Sequence, residues 1–258
     1  MGKIKIEAEV VSQTRLADGV FSMWIEAKGI TDQAEPGQFI SMYTKDSSKL
    51  LPRPISICET NRDKGFLRIV YRIAGGGTEE FSQYKTGSRI SVMGPLGNGF
   101  PLEAGSPGKR ALLIGGGIGI PPMLELSKHL TCTRQIVLGY RDELFLNEEF
   151  LPYGDTFLAT ESGTAGTKGN VMDVIREHGL QSDVIFACGP TPMLKSIQAY
   201  ALEHHIECYL SLEEKMACGI GACLACVCKS SERDGHSMVH NKRVCKDGPV
   251  FKAEEVEF

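Results

Sequence analysis

The sequence lacks the features that would direct the chain to a membrane or to a polyanion. It contains no block of like charges, and 28 Lys and Arg against 32 Asp and Glu give a net charge of −4. That balance gives no support for binding to nucleic acid or to an anionic membrane surface. The most apolar run, residues 111–126, is interrupted by glycines and prolines and is too short to span a bilayer.

A secretory signal is also missing, because residues 3–7 alternate charged and apolar side chains where a signal peptide would have an apolar core. Nine cysteines without such a signal indicate a reducing compartment, in which thiols bind metals or take part in catalysis rather than forming disulfides. We therefore expect a cytoplasmic protein. With 258 residues and no internal repeat, the chain is long enough for two domains and a small module.

Four cysteines in the last fifth of the chain have the spacing of a ligand set: Cys218, Cys223, Cys226 and Cys245. The first three form C-x4-C-x2-C, which with a distant fourth cysteine matches the plant-type pattern for a 2Fe–2S cluster. Glycines between the first two allow backbone N–H groups to approach and stabilise negative charge on sulfur. A structural zinc ion is the alternative, although zinc favours paired C-x2-C units and only one is present among the four. Cys228 would point away from the ligands on an extended strand, so we predict that it is not a ligand.

Short runs of period-two alternation, separated by turn signals, fill residues 3–96. Many short strands at regular spacing predict a small antiparallel barrel. Arg53-Pro54-Ile55-Ser56 places a cation and a small hydroxyl at a strand entrance, although it could equally be an edge strand. Gly75-Gly76-Gly77-Thr78 precedes a predicted helix, whose first N–H groups would form a cradle for a pyrophosphate. A flexible turn is the alternative for the glycines.

From residue 109 the pattern changes to alternating strands and helices, which predicts a parallel α/β domain. Its first strand runs into Gly115-Gly116-Gly117-Ile118-Gly119 and a helix, an opening typical of dinucleotide-binding domains. Ile120 stands where the strict fingerprint has its third glycine, so this motif alone is weak. Ligands of such domains bind at the carboxyl ends of the strands, where Glu161 and the run Cys188-Gly189-Pro190 lie.

Taken together, these motifs resemble the ferredoxin-NADP reductase superfamily. The C-terminal cysteines, GPLGNGF at residues 94–100 and SLEEKMACGIGAC at residues 211–223 narrow the resemblance to the electron-transfer subunits of NAD-linked (class B) dihydroorotate dehydrogenases. The resemblance covers essentially the whole chain. It implies an FAD-binding antiparallel β-barrel over residues 1–101, a Rossmann-like parallel NAD-binding α/β domain over 102–213, and a 2Fe–2S module over 214–258.

The resemblance also implies roles for individual residues. It implies contacts with FAD for Arg53, Pro54, Ile55, Ser56, Val70, Tyr71, Arg72, Gly77 and Thr78, with Tyr71 offering a flat partner for a ring system. It implies contacts with NAD(H) for Gly115, Gly116, Gly117, Gly119, Glu161, Gly189 and Pro190, and a catalytic position for Cys188 at the nicotinamide–flavin contact. A buried strand-end cysteine without a role and a solvent-exposed Glu161 without a ligand are the alternatives. A carboxylate at Glu161 would accept a bond from a ribose hydroxyl and repel a 2′-phosphate, which favours NAD(H).

The function implied is a relay between NAD(H) and a one-electron acceptor outside the chain, because a flavin exchanges hydrides and single electrons whereas a cluster takes one electron at a time. By resemblance, the acceptor is the FMN of a separate dihydroorotate dehydrogenase catalytic subunit of pyrimidine synthesis, in a heterotetramer with two copies of each subunit. The first alternative is a flavoprotein subunit of an NADPH–ferredoxin transhydrogenase or a sulfhydrogenase. The second is a zinc-stabilised binding module without a redox role.

Overall fold

The structure, a computed structural model, describes residues 2–233 and 238–258. In chain order its strands are β1 Ile4–Ala17, β2 Val20–Glu26, β3 Phe39–Tyr43, β4 Arg53–Asn61, β5 Phe66–Arg72, β6 Arg89–Leu96, β7 Arg110–Gly116, β8 Thr133–Tyr140, β9 Asp155–Thr160, β10 Thr167–Lys168, β11 Val184–Cys188, β12 Glu207–Ser211, β13 Val227–Ser230, β14 Asn241–Arg243, β15 Val250–Lys252 and β16 Val256–Glu257. The α-helices are α1 Lys28–Thr31, α2 Gly76–Ser82, α3 Ile120–His129, α4 Val171–Glu177 and α5 Thr191–Glu203. Short 3-10 helices cover Leu102–Gly105, Gly117–Gly119, Asn147–Tyr153 and Ala253–Glu255.

The first six strands close into an antiparallel barrel in the order β1-β2-β5-β4-β3-β6. Alternation along each strand divides its side chains between the barrel interior and the outer face. In β3, Ile40 and Met42 belong to the barrel core, whereas Phe39 packs into a different core on the outer face. The outer face of β3 is therefore free to carry another part of the chain.

The second sheet has the order β10-β9-β8-β7-β11-β12-β15 and is parallel except for its last strand. Helices cover the sheet, which explains why β7 reads as a continuous apolar run buried on both faces. Helix α3 contains Pro121 and Pro122 in its first turn, where a missing N–H leaves no intrahelical bond unmade. The predicted fold class, a barrel followed by a parallel α/β domain, is confirmed.

The C-terminal residues, 214–258, are closely joined to the α/β domain. A small sheet, β14-β13-β16, carries the end of the chain, but β15 pairs antiparallel with β12 and extends the α/β sheet. Cys226 and Cys245 pack into the same core as Ile114 of β7. This module therefore shares the hydrophobic core of the second domain instead of forming one of its own.

No helix within the described ranges is both long enough and apolar enough to cross a membrane.

Candidate functional site

The first three predicted cluster cysteines lie on the loop between β12 and β13, and Cys245 follows β14. Gly219 and Gly221 both have a positive φ, which turns the backbone N–H groups of this loop toward the thiols. The N–H groups of Ile220 and Ala222 donate to Cys218 Sγ at 3.4 and 3.3 Å. The N–H of Gly221 donates to Cys245 Sγ at 3.1 Å. Such donors stabilise thiolate and sulfide charge, as a cluster requires.

The four thiols are grouped as two pairs. The Cys218 side chain is hydrogen-bonded to that of Cys223, and the Cys245 side chain to that of Cys226. Two pairs of thiols suit two irons, whereas a structural zinc ion needs four ligands around a single point. The donor set therefore fits a 2Fe–2S cluster better than zinc.

The environments of the two pairs also differ. Burial opposes ionisation of Cys218, but the N–H groups around its sulfur outweigh burial and lower the pKa of this thiol to about 6. Burial, together with the neighbouring Cys226, raises the pKa of Cys245 to about 12. Cys228 lies on β13 beside Lys242 of β14 and packs against the core, where burial raises its pKa to about 11. The four ligand assignments stay predictions.

The barrel ladder is open at the predicted flavin site. The backbone pairing between β4 and β5 extends from Asn61 opposite Phe66 to Ile57 opposite Ile69 and ends at that last pair. Beyond that point residues 53–56 stay paired with β3, while residues 70–72 stay paired with β2. Backbone N–H and C=O groups along this open seam lack a ladder partner across it. A planar heteroaromatic ring with donors and acceptors on its edge, such as a flavin, is a ligand that could satisfy them.

A cationic cradle lies at one end of this seam, where α2 begins. The first N–H groups of α2 have no intrahelical acceptor and face outward. The Arg53 guanidinium lies against the Cα of Gly77, so that a Cβ at Gly77 would overlap it. Lys49 lies near Gly76, at 3.3 Å from the place of a Cβ there. The Lys49 ammonium also pairs with Asp46 and Glu80, at 3.4 and 3.3 Å. Arg53 and the helix N–H groups therefore suit a pyrophosphate, with Lys49, which was not predicted from the sequence, beside them.

The hydroxyl of Thr78 forms hydrogen bonds within its own turn, so it is not available to bind the FAD pyrophosphate. Thr78 Oγ1 accepts from the N–H of Ala74 at 2.8 Å and donates to the carbonyl of Gly75 at 2.9 Å. The side chain therefore shapes the glycine turn, and only the backbone N–H of Thr78 remains for a phosphate.

The prediction that the Tyr71 ring offers a flat partner to the flavin is wrong. Tyr71 is fully buried inside the barrel, where its ring stacks on Phe21 and meets the edge of Phe81. Its hydroxyl donates to Gln13 Oε1 at 2.8 Å. Strand alternation is the reason, because it turns Tyr71 inward and leaves Val70 and Arg72 on the outer face. Contacts of a flavin with Val70, Arg72 or the backbone of Tyr71 stay predictions.

The glycines of the α/β domain allow two strand ends to approach each other. A Cβ at Gly116 or Gly189 would overlap Met193, and a Cβ at Gly119 would overlap the carbonyl of Cys188. A Cβ at Gly115 would lie only 2.9 Å from the Cα of Ile120. These glycines, together with Pro190 at the N-cap of α5, shape the edge of the sheet. Gly117 differs, because it has a positive φ and faces open space.

Cys188 ends β11 with Gly115 of β7 and Ser211 of β12 beside it in register. Cys188 is half-buried by solvent exposure, and the burial of its thiol raises the pKa of Cys188 to about 12. A neutral thiol is not a nucleophile, so any role of Cys188 at the nicotinamide is that of a small polarisable neighbour.

A cavity of about 270 Å³ lies between the two domains and is lined by Arg72 of the barrel and by Gly117 and Arg141 of the α/β domain. Glu161 follows β9 and is largely exposed, with its Oε2 at 3.9 Å from Nε of Arg141. Sequence reasoning missed Arg141, since only parallel pairing of β8 with β9 brings it beside Glu161. The carboxylate therefore shares the predicted ribose site with a guanidinium that would attract a phosphate.

An ion network fixes the orientation of the barrel relative to the α/β domain. Arg68 of β5 is buried and donates to Glu149 through both terminal nitrogens, at 2.6 and 3.0 Å. The same guanidinium donates to Glu59 of β4 at 3.1 Å, and Lys128 of α3 donates to Glu59 at 2.6 Å. Strong charge-assisted bonds thus cross the domain boundary.

Known protein families and relatives match the parts of the chain that contain these sites. A sequence profile described as the iron-sulfur cluster binding domain of dihydroorotate dehydrogenase B matches residues 213–257. A second profile, described as the oxidoreductase FAD-binding domain, matches residues 7–100. The Bacillus velezensis protein named dihydroorotate dehydrogenase B (NAD(+)), electron transfer subunit, is 47% identical, over 98% of both chains. A Geobacillus protein of the same name is 44% identical, over 96% of both chains.

Solved structures show the same fold. An NADH-dependent reduced ferredoxin-NADP oxidoreductase, described in connection with flavin-based electron bifurcation, aligns with a TM-score of 0.86 and 30% identity. That alignment covers 98% of this chain and 90% of the other. The ferredoxin reductase of a carbazole 1,9a-dioxygenase has a TM-score of 0.64 at 20% identity, over 80% of this chain and 67% of its own, and is similar in fold alone.

Proposed function

The chain belongs to the family of electron transfer subunits of dihydroorotate dehydrogenase B, and on that premise we propose that it carries electrons between NAD(H) and the FMN of a separate catalytic subunit. A bound flavin exchanges a hydride with the nicotinamide and single electrons with a 2Fe–2S cluster. The chain's own residues bind these groups, orient them and keep them close together.

The observation that carries the proposal is the position of the cluster loop relative to the flavin seam. Gly219 of the loop packs against Ser41 on the outer face of β3. Ser41 pairs in register with Pro54, which belongs to the seam on β4. One strand thus separates the two predicted redox sites, and this short separation suits electron transfer between them.

On the other side of the seam, the chain provides a place for the nicotinamide nucleotide. Gly117 leaves open space at the end of β7, and Cys188 ends the neighbouring strand with a small neutral side chain. Glu161 is placed to accept a bond from a ribose hydroxyl. In this arrangement the protein excludes water and aligns the two ring systems, while Arg53 and Lys49 neutralise the FAD pyrophosphate.

The cluster loop is also suited to contact the partner. Ile220 and Leu224 expose 42% and 60% of their surface, although both flank cluster cysteines. Apolar side chains around a redox centre are typical of an interface core. We propose that the FMN subunit docks here, in a heterotetramer with two copies of each subunit. We also propose a location in the reducing cytoplasm, where cysteines such as the four predicted ligands bind metals rather than form disulfides.

Spectra of the anaerobically purified protein test the proposal. The protein should contain FAD, and two irons and two sulfides per chain, and NADH should bleach both the flavin and the cluster absorbance. A protein with bound zinc and no iron, or one whose chromophores do not respond to NADH, would contradict the proposed relay.

A second candidate function is electron transfer between ferredoxin and NADP(H). The 30% identity to an NADH-dependent reduced ferredoxin-NADP oxidoreductase over nearly the whole chain favours it. Relatives at 43–47% identity favour the first candidate. Rates of dihydroorotate-linked and ferredoxin-linked turnover with each candidate partner distinguish the two functions.

A further inference from the structure

One buried hydroxyl between the two predicted redox sites has no partner. Ser41 is fully buried, and its Oγ makes no hydrogen bond to any described residue. A buried hydroxyl normally has a partner, because leaving it unpaired forfeits the bonds it makes with water. The missing partner is therefore expected to be a group that the polypeptide alone does not supply.

The surroundings of Ser41 point to the cluster side of β3. A Cβ placed on Gly219, the residue after Cys218, would stand 2.9 Å from Ser41 Oγ. The other side chains close to Gly219 are Leu96 and Met93, which offer no strong acceptor.

Gly219 directly follows Cys218 in the chain, and Ser41 and Tyr43 lie on the same face of β3. The outer face of β3 therefore lies beside the first cluster ligand.

We infer that the Ser41 hydroxyl donates a hydrogen bond to a sulfide of the iron–sulfur cluster beside Cys218 and raises the reduction potential of the cluster. This inference rests on the proposed function, since it requires the cluster. Its direction follows from charge: reduction adds an electron to the cluster, and a donor aimed at sulfur stabilises the more negative state. The position on β3, beside the flavin strand, makes Ser41 a residue that sets the driving force of electron transfer between FAD and cluster.

The test is an EPR-monitored redox titration of the purified protein with Ser41→Ala. Iron and sulfide contents should equal those of the wild type, while the midpoint potential of the cluster should shift to a lower value. Ser182→Ala is the matched control. Ser182 also has an unpartnered hydroxyl, but it precedes β11 at the amino ends of the strands, whereas the cluster loop follows the carboxyl end of β12, so its loss should leave the potential unchanged.

Two results would overturn the inference: an unchanged cluster potential in Ser41→Ala, or a shift in the flavin potential alone. If Ser41→Ala does not retain its cluster, Ser41→Cys is titrated instead. This variant keeps a weaker donor of similar size, so its potential should fall below that of the wild type, and an unchanged value would again contradict the inference. A wild-type protein without iron and sulfide would instead refute the proposed function itself.

Discussion

The guanidinium of Arg53 lies directly against the Cα of Gly77, so that the first turn of α2 and the start of β4 form one anion site. A side chain at Gly77 would occupy the place of the guanidinium. The φ angle of Gly77 is not positive, so a substitution there causes no backbone strain. Its effect comes from the new side chain, which would displace the Arg53 guanidinium.

Gly77→Ala should therefore weaken FAD binding by about 10-fold, or about 1.4 kcal/mol, because Arg53 must swing away from the pyrophosphate. The fold should tolerate the change, since the displaced group is the end of a flexible side chain. Titration of the apoprotein with FAD, followed by flavin fluorescence, measures the effect. Gly75→Ala is the control, because a Cβ there meets nothing within 4 Å. Equal affinities for the two variants would show that Arg53 does not bind the phosphates.

Replacing any one of Cys218, Cys223, Cys226 and Cys245 by Ala should remove the cluster, because one of the two irons then loses one of its two thiolates. Iron and sulfide analysis after anaerobic purification measures this. Cys228→Ala should keep full iron, since this thiol packs against the core on β13. Full iron in Cys245→Ala would mean that the fourth ligand is a different residue.

The pair of Glu161 and Arg141 should determine the choice of nucleotide. The wild type should use NADH better than NADPH, because the carboxylate repels a 2′-phosphate and pairs with the nearby guanidinium. Glu161→Gln should release Arg141 and raise the NADPH/NADH ratio of kcat/KM by about 10-fold, equal to about 1.4 kcal/mol. In Glu161→Gln/Arg141→Gln that gain should disappear. A wild type that prefers NADPH, or a double variant that keeps the gain, would refute this assignment.

Arg68→Met should lower the free energy of unfolding by about 2 kcal/mol, since it leaves Glu149 and Ser22 without their partner at the domain boundary. Glu149 is half-exposed, which is why we expect less than the loss typical of a buried pair. Arg89→Met, which removes an exposed pair with Glu9, should lower it by less than about 1 kcal/mol in the same urea titration. Equal decreases in the free energy of unfolding for the two substitutions would show that the Arg68 network does not stabilise the contact between the domains.

Local pattern predicted most of the secondary structure, because period-two runs and strand–helix alternation reflect which faces are buried. The cluster loop was equally predictable, since its spacing and glycines are local in sequence. Pairing between distant strands could not be predicted from the local sequence. The inward orientation of Tyr71 depends on the register of the closed barrel, and β15 joins β12 across nearly forty residues. Arg141 lies beside Glu161, and Ser41 beside Gly219, only because the tertiary fold brings them together.

The central claim is that the chain passes electrons from a catalytic partner to NAD, and coupled turnover tests it most directly. Mixed with the FMN subunit of a dihydroorotate dehydrogenase B, the chain should make NAD⁺ reduction depend on dihydroorotate. Alone it should oxidise NADH with artificial dyes and leave dihydroorotate untouched. Leu224→Asp, which places a charge in the exposed apolar part of the cluster loop, should abolish coupling while leaving dye reduction at the wild-type rate. Turnover of dihydroorotate by the isolated chain, or unchanged coupling in Leu224→Asp, would contradict the account.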